Sequence, residues 1–473
     1  MMSLSASEEL ALVVAWSSAE PDRVGEVAFF REGDTQVLGR ETTSRRRGSR
    51  RCTLYRQRPG SLEPTRELSG ERISREQLEI RSDGRALQVT NTGRCPLLFR
   101  GEAVDSCTVR EGDSVQLKGQ LILLAVRRGR TLPPMRVFPA SALGDFARPD
   151  SLGILGESPA AYLLREQLAW TAQAAQHALV LGPSGSGKEL AARALHTLSS
   201  RAAKPFVARN AATLPHGLVD AELFGNLRNY PNPGMSERAG LVGEAHGGTL
   251  FLDEIGELPE TAQSHLLRVI DSYGEYHRLG ESVARHADLR LIAATNRSVE
   301  SLKHDLAARL PLRVDLPGLD RRREDIPLLT AHLARRARER SPQLTSHFFD
   351  ASGAPRFSAE LVEQLLHHPF TMHIRELDAM LWRAMATSAG DTIVPPVDAT
   401  PMPRGEPSPP LAARGPENSE REPSSDAVRA ALAANDGNVT RAARALGLSS
   451  RFALYRRMRK LGMSIEEGGK EHE

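Results

Sequence analysis

The stretch Ala178-Leu-Val-Leu-Gly182-Pro-Ser-Gly-Ser-Gly-Lys188-Glu-Leu190 decides how this chain is read. An apolar run, Ala178 to Leu181, ends in a glycine-rich turn, and a helix-forming stretch, Glu189 to Leu198, follows it. Strand, glycine-rich loop and helix are the context that a phosphate-binding P-loop requires. Glycines let successive N–H groups curl round phosphate oxygens, the helix N-terminus adds a favourable dipole, and a lysine reaches the outer phosphates. Gly182, Ser184, Gly185, Ser186, Gly187, Lys188, Glu189 and Leu190 are therefore the residues expected to touch ATP. Glu189 stands where the general motif has a Ser or Thr for magnesium, so Mg2+ must lean on another carboxylate.

Working outward, Thr249-Leu-Phe-Leu-Asp253-Glu254 is an apolar strand that ends in two acids. Asp253 is expected to hold Mg2+, and Glu254 to orient or deprotonate the attacking water, as phosphoryl transfer demands. Further apolar strands at His177 to Leu181, Phe206 to Asn210 and Leu289 to Thr295 alternate with amphipathic helical stretches. That alternation is the signature of a parallel sheet covered by helices, an α/β subdomain over 151–320. Beyond Arg321 the strands stop, and Asp325 to Arg340 and Ala359 to His368 read as helices of a smaller lid over 321–390.

From about Leu155 to Ala386 the chain resembles the AAA+ ATPases of the sigma-54-dependent activators, the bacterial enhancer-binding proteins. The resemblance rests on Glu222-Leu-Phe-Gly225, Gly247-Gly-Thr-Leu-Phe-Leu-Asp-Glu-Ile-Gly-Glu-Leu-Pro259 and Leu291-Ile-Ala-Ala-Thr-Asn-Arg297. It implies that Glu189 is the family's usual residue, that Asn296 is sensor I, and that Asn210 switches Glu254. It also implies that Arg375 in Ile-Arg-Glu-Leu is sensor II. Members work as ring homo-oligomers in which two arginines of one subunit reach the γ-phosphate of the next. The matching positions here are Lys303 and Arg309, and a lysine lacks the guanidinium fork.

Two stretches depart from the family's pattern. Where it carries Gly-Ala-Phe-Thr-Gly-Ala to engage sigma-54 RNA polymerase, this chain has Asn229-Tyr-Pro-Asn-Pro-Gly234. Two prolines remove backbone donors and restrict φ. Either Tyr230 stands in for the lost Phe, or the ATPase serves another partner or only assembly. The second departure is Pro369-Phe-Thr-Met-His-Ile-Arg375 where the family reads Pro-Gly-Asn-Val-Arg, which questions where Arg375 points.

On the N-terminal side, short alternating apolar stretches (Glu26 to Phe30, Gln77 to Arg81, Ala86 to Thr90, Leu121 to Val126) between Gly, Asn and Asp turns predict a β-sandwich over 1–130. Gly39-Arg40, Ile73-Ser-Arg75, Asn91-Thr-Gly93 and Gly112-Asp113 resemble the strand-end motifs of forkhead-associated domains, which bind phosphothreonine peptides. Arg40, Ser74 and Arg75 would then donate charge-assisted bonds to phosphate while Asn91 holds the peptide backbone. Gln77 replaces the family's usual His. From Arg40 to Arg58 there are eight arginines (40, 45, 46, 47, 50, 51, 56, 58) against one acid, Glu41. Such a run is by default solvated. A sandwich that no longer binds phosphate is the alternative.

At the other end, Gly437-Asn-Val-Thr-Arg-Ala-Ala-Arg-Ala-Leu-Gly447-Leu-Ser-Ser reads as helix, glycine turn and new helix, and resembles a Fis-type helix-turn-helix over 426–465. Ala442, Ala443, Leu446 and Leu448 would pack the two helices. Arg451, Tyr455, Arg456, Arg457 and Lys460 are the expected DNA contacts. Between Arg441 and Lys460 seven basic residues (441, 444, 451, 456, 457, 459, 460) meet no acid, which suits phosphate contact and groove entry.

The rest of the chain bounds these readings. Residues 131–150 are Arg- and Pro-rich and 391–425 are dense in Pro, Ser, Glu and Arg, so both are expected to be linkers. Net charge is only +3, so DNA affinity must come from local clustering. Cys52, Cys95 and Cys107 form no C-x-x-C pair, which argues against zinc and a disulfide framework. No run of 18 apolar residues exists to span a bilayer, and Leu10 to Trp16, lacking a basic flank, reads as a strand and not a signal peptide. A cytoplasmic location is expected. Two functions fit: an ATP-driven transcription regulator, or a phosphorylation-responsive DNA-binding protein whose ATPase core is a scaffold. A stand-alone metabolic kinase is disfavoured by the DNA-binding helices.

Overall fold

Strand β1 (Glu8–Ser17) buries every residue from Leu10 to Ala15. An antiparallel strand with one wet face alternates apolar and polar residues; this one does not, because both of its faces are covered. Leu10, Leu12 and Val14 point into the interior of a sandwich. Ala11 and Val13 pack outside it with Val27 and Phe29. The computed structural model describes residues 8–40, 50–215, 217–271, 274–396 and 425–433, with the single positions Ala442, Leu446, Leu454 and Met458. It divides into two units, Met1–Pro401 and Met402–Glu473.

The sandwich continues through β2 (Val27–Phe30), β3 (Thr35–Leu38), β4 (Arg50–Arg51), β5 (Tyr55–Arg58), β6 (Ser61–Pro64), β7 (Leu78–Ser82) and β8 (Leu87–Asn91). It closes with β9 (Leu97–Phe99), β10 (Glu102–Val104), β11 (Ser106–Val109), β12 (Ser114–Leu117) and β13 (Leu121–Gly129). One sheet runs β10-β9-β12-β13-β1-β2-β5-β6 and the other β11-β8-β7-β3-β4. Their inner faces share one core that includes Leu12, Phe30, Leu78, Val89, Leu97 and Leu123. The pairing of β1 with β13 slips between Val14 and Trp16, a bulge that re-aims the side chains at this end of the strand.

Residues 131–150, expected to be a linker, are instead a packed strap. The N–H groups of Arg136, Val137 and Phe138 all donate to the Glu166 carboxylate on α1 (Pro159–Gln173), and Phe138 is buried. Arg58 of the sandwich donates to Gly144 O, and the ring of Phe146 lies under the guanidinium of Arg56.

The ATPase sheet is parallel, with order β15-β16-β19-β14-β20, from β14 (Ala178–Leu181), β15 (Phe206–Asn210), β16 (Thr249–Asp253), β19 (Arg290–Thr295) and β20 (Leu312–Asp315). A small hairpin, β17 (Glu275–Tyr276) with β18 (Arg285–His286), interrupts the succession. Helices α2 (Lys188–Thr197), α3 (Val219–Phe224), α4 (Gly240–Glu244), α5 (Glu260–Asp271) and α6 (His304–Ala308) belong to this subdomain. The inner strands β14, β16 and β19 read as near-continuous apolar runs because both sheet faces are covered there. Ligands of such sheets bind in the crevice at the carboxyl ends of the strands.

The lid packs α7 (Ile326–Arg340), α8 (Pro342–Thr345), α9 (Ala359–His367) and α10 (His373–Thr387) round Ile326, Leu333, Leu365, Leu377 and Leu381. Residues 391–396, expected to open the second linker, belong to this packing: Ile393 is fully buried and exchanges backbone bonds with Arg356 and Ser358. The remaining linker residues, 397–424, lie outside the described residues.

In the second unit α11 (Ser425–Ala433) contributes Val428 to a buried cluster with Ala442, Leu454 and Met458, and Ala431 and Leu446 pack at its rim. Ala442 and Leu446 thus take the packing positions expected of them. Ala443 and Leu448 lie outside the described residues. Among the described residues no helix is long and apolar enough to cross a membrane.

Candidate nucleotide site

The P-loop leaves β14 and enters α2 with Gly185 at φ +77° and Gly187 at φ +103°, conformations that L side chains rarely adopt. Space also demands glycine at Gly185, where a Cβ would fall 2.1 Å from Met372 O. Lys188 is buried, and its Nζ lies 3.2 Å from Gly182 O and 3.3 Å from Glu254 Oε1. Ser186 Oγ is buried with no hydrogen-bond partner inside the cradle, the kind of orphan that a bound oxyanion would satisfy.

Asp253 ends β16 opposite Asn210 of β15, and accepts the Glu254 N–H at 3.0 Å. Burial pushes the Asp253 carboxyl above its ordinary range, against the pull of Lys188, so the group favours a nearby cation. Glu254 adopts φ +51°, ψ +47°, a left-handed conformation that is costly for a residue with a Cβ. This bend lets Oε2 accept the Asn296 N–H at 3.3 Å while Oε1 faces Lys188. The structure therefore gathers Lys188, Asp253, Glu254 and Asn296 at one edge of the sheet. Asn210 is beside them, but its Oδ1 caps its own turn by accepting the Ala212 N–H at 2.9 Å.

The lid closes the site from above. Ile374 N–H donates to Gly185 O at 3.1 Å, and Arg375 Nη1 lies 3.3 Å from Ser184 Oγ. In the altered stretch before Arg375, His373 takes φ +46° and buries its ring beside Gly318, with Nδ1 accepting the Leu319 N–H at 3.1 Å. Glu376 fastens the same turn by accepting from Thr371 N–H, Met372 N–H and the His368 ring. Burial opposes its charge, yet these donors hold the carboxyl down to about 2. Sequence reasoning missed His373 and Glu376, whose partners are not visible in a motif.

Two expected ATP contacts need correction or detail. The Glu189 carboxylate faces outward and pairs with Arg193 at 2.8 Å, because i,i+4 neighbours share a helix face. Leu190 is exposed, and its side chain lies over Gly153.

Residues 154–316 match the family described as Sigma-54 interaction domain, and residues 424–461 the family described as Bacterial regulatory protein, Fis family. The transcriptional regulatory protein ZraR of Escherichia coli (strain K12) is 35% identical over 64% of this chain and 67% of its own length. The DNA-binding transcriptional regulator NtrC of Bradyrhizobium sp. (strain RP501 Parasponia) is 33% identical over 74% of this chain and 77% of its own. The chain belongs to the sigma-54 activator family. Among solved structures, NtrX from Brucella abortus in complex with ADP is 29% identical, covers 66% of this chain and 70% of its own, and superposes with a TM-score of 0.47.

Lys303 and Arg309, the positions expected to face a neighbouring subunit, flank α6 at its two ends. Arg309 is ion-paired with Asp271 at 2.7 Å, and Lys303 Nζ donates to Ser264 Oγ at 2.8 Å. The loop Asn229–Gly234 is exposed at every position. It is shaped by its own turns: Asn229 N–H donates to Met235 O, Gly234 N–H to Asn229 Oδ1, and the Tyr230 ring lies on Gly280.

On the sandwich, Arg40, Ser74 and Asn91 converge at one end of the sheets. Arg40 N–H donates to Ser74 O, Ser74 Oγ accepts the Arg94 N–H, and Arg75 O accepts from Arg51 Nη1 at 2.5 Å. Gln77, three residues after Ser74, is fully buried and joins them. Its Oε1 accepts the Ser74 N–H at 2.9 Å, and its Nε2 donates to Asn91 Oδ1 at 2.7 Å and Cys95 O at 2.8 Å. The expected DNA contacts Arg451, Tyr455, Arg456, Arg457 and Lys460 lie outside the described residues.

Proposed function

We propose that this sigma-54 family activator binds and hydrolyses ATP between its P-loop and lid, as a cytoplasmic ring whose C-terminal helices hold it on DNA. The observation that carries this reading is the convergence of Lys188, Glu254 and Asn296 beneath Arg375. In it, Lys188 exchanges Glu254 for the outer phosphates, which releases the Glu254 carboxylate to take a proton from the attacking water. The Asn296 N–H keeps that carboxylate aimed. Asp253, raised by burial with Lys188 and Glu254 near it, fits a Mg2+ ligand, and the ion would neutralise charge on the phosphates. Arg309 of one subunit would serve the γ-phosphate of the next, with Lys303 supplying a weaker point charge.

The convergent end of the sandwich supports phosphothreonine recognition by Arg40, Ser74 and Arg75, with Asn91 holding the peptide and Gln77 doing the bracing. ATPase assays on wild type over a range of protein concentrations test the central reading. Activity that rises with concentration is expected; no turnover at any concentration would sink it.

One observation favours a second reading. The exposed, self-bonded loop Asn229–Gly234 replaces the sigma-54 contact, so ATP would serve assembly or another partner. Open-complex formation by purified protein and sigma-54 RNA polymerase on a promoter it binds would refute that reading.

A further inference from the structure

The sandwich does not merely precede the ATPase; it is seated on the lid. Ala15, Ile122 and Leu124 from the outer face of its larger sheet pack against Ala359, Val362 and Leu366 of α9. Trp16 Nε1 donates to Phe357 O at 3.1 Å, and Ser114 Oγ lies 2.8 Å from His367 Nε2. Beside this apolar contact Arg128, 2% exposed, sets Nη2 2.6 Å from Glu324 Oε1 and donates from Nη1 to Gln57 Oε1 at 3.1 Å. Ions withdrawn from water this far add little net stability but fix geometry, because either one left alone is strongly unfavourable.

The position of Glu324 gives the pair its importance. Residues 316–325 join the last strand of the ATPase sheet to the first lid helix, and they carry further ties to other elements. Asp325, next in sequence, accepts the N–H groups of Glu157 and Ser158 and the Ser158 hydroxyl at the start of α1. Leu319 N–H donates to His373, the first residue of α10. The following residues, Ile374 and Arg375, are those that touch Gly185 and Ser184. A continuous set of contacts thus leads from Arg128 through this joint to the P-loop.

We propose that Arg128 and Glu324 are positioning residues for nucleotide binding, through which the N-terminal sandwich holds the joint and sets the lid arrangement that brings Arg375 to the P-loop. This rests on the reading that the P-loop and lid bind ATP. The sandwich then has a mechanical duty toward ATP that is separate from any peptide at its far loops. Loosening the seam should weaken capture of ATP and leave the chemistry of bound ATP alone, because neither residue is among the groups gathered round Glu254.

The test uses the full-length chain, with a fluorescent non-hydrolysable ATP analogue for Kd and steady-state turnover for KM and kcat. Arg128→Glu and Glu324→Arg should each raise Kd and KM about tenfold, with kcat at saturation within about twofold of wild type. The double exchange should bring Kd back to within about threefold. Should the single variants fail to fold, Ile122→Ala with Leu366→Ala thins the seam without stranding a charge, and should raise Kd about threefold. Folded seam variants that bind the analogue as wild type does would overturn the proposal, as would a fall in kcat with Kd unchanged. A wild-type chain that binds no analogue would overturn the reading of the nucleotide site, and the proposal with it.

Discussion

At the P-loop, Lys188 is 6% exposed and gripped from two sides, by Gly182 O and by Glu254. On the same subdomain the loop Asn229–Gly234 is exposed throughout and held by its own turns and by Tyr230 resting on Gly280. In the first region Lys188 and Glu254 are fixed by partners from other elements, and β16, β19 and the lid all converge there. In the second the chain's shape is local. The difference teaches that the machinery for ATP and the surface that would deliver its output are mechanically separable. Residues at the first can change only with their partners, whereas the second can be rewritten without disturbing the sheet.

That separation can be broken or sharpened by experiment. The largest effect is expected from Glu254→Gln, which keeps the bend and the Asn296 contact but removes the base. Turnover should fall by roughly a hundredfold or more, with ATP affinity retained, as read by phosphate release and nucleotide titration. Replacing Asn229–Gly234 with Gly-Ala-Phe-Thr-Gly-Ala should leave turnover within about twofold while adding ATP-dependent binding of sigma-54 RNA polymerase. A collapse of turnover in this variant would show that the two regions are coupled after all.

A smaller effect is expected where the lid meets the P-loop. Glu376 is held down to about 2, below the ordinary 4.5, so it stabilises the lid fully above the ordinary value and loses that contribution as pH falls toward 2. Glu376→Gln should cost on the order of 1 kcal/mol at neutral pH and flatten the acid side of the stability profile, as seen in thermal melts across pH. Smallest of all, Tyr230→Ala should change melting by no more than about 0.5 kcal/mol.

That Lys188, Asp253, Glu254 and Asn296 come together was legible in the sequence because each stands at the end of an apolar strand or just after its glycine-rich turn. The sequence conveys position better than direction. Glu189 follows Lys188 in sequence, yet the helix turns its carboxylate outward to Arg193. His373 and Glu376 were not readable because each acts on groups brought near only by folding, such as Leu319 N–H. The strap over 131–150 was misread for a related reason: Arg and Pro signal a linker by composition, while its N–H groups are satisfied by Glu166, a residue of α1. One signal was present and undervalued. Leu10 to Ala15 runs without a polar residue, and an antiparallel strand of that kind must be covered on both faces.

That two-sided strand bears on how such proteins can be cut and recombined. A sandwich severed near residue 130 would carry the apolar surface of Ala15, Ile122 and Leu124 into water and leave Arg128 without its carboxylate. Transplanted onto a foreign ATPase it would arrive with a sticky patch and a stranded cation, both liabilities for solubility. A crossover placed within 397–424 severs none of the contacts described. The natural unit of exchange is therefore sandwich plus ATPase against DNA-binding helices, and chimaeras built on that boundary are the ones expected to stay soluble.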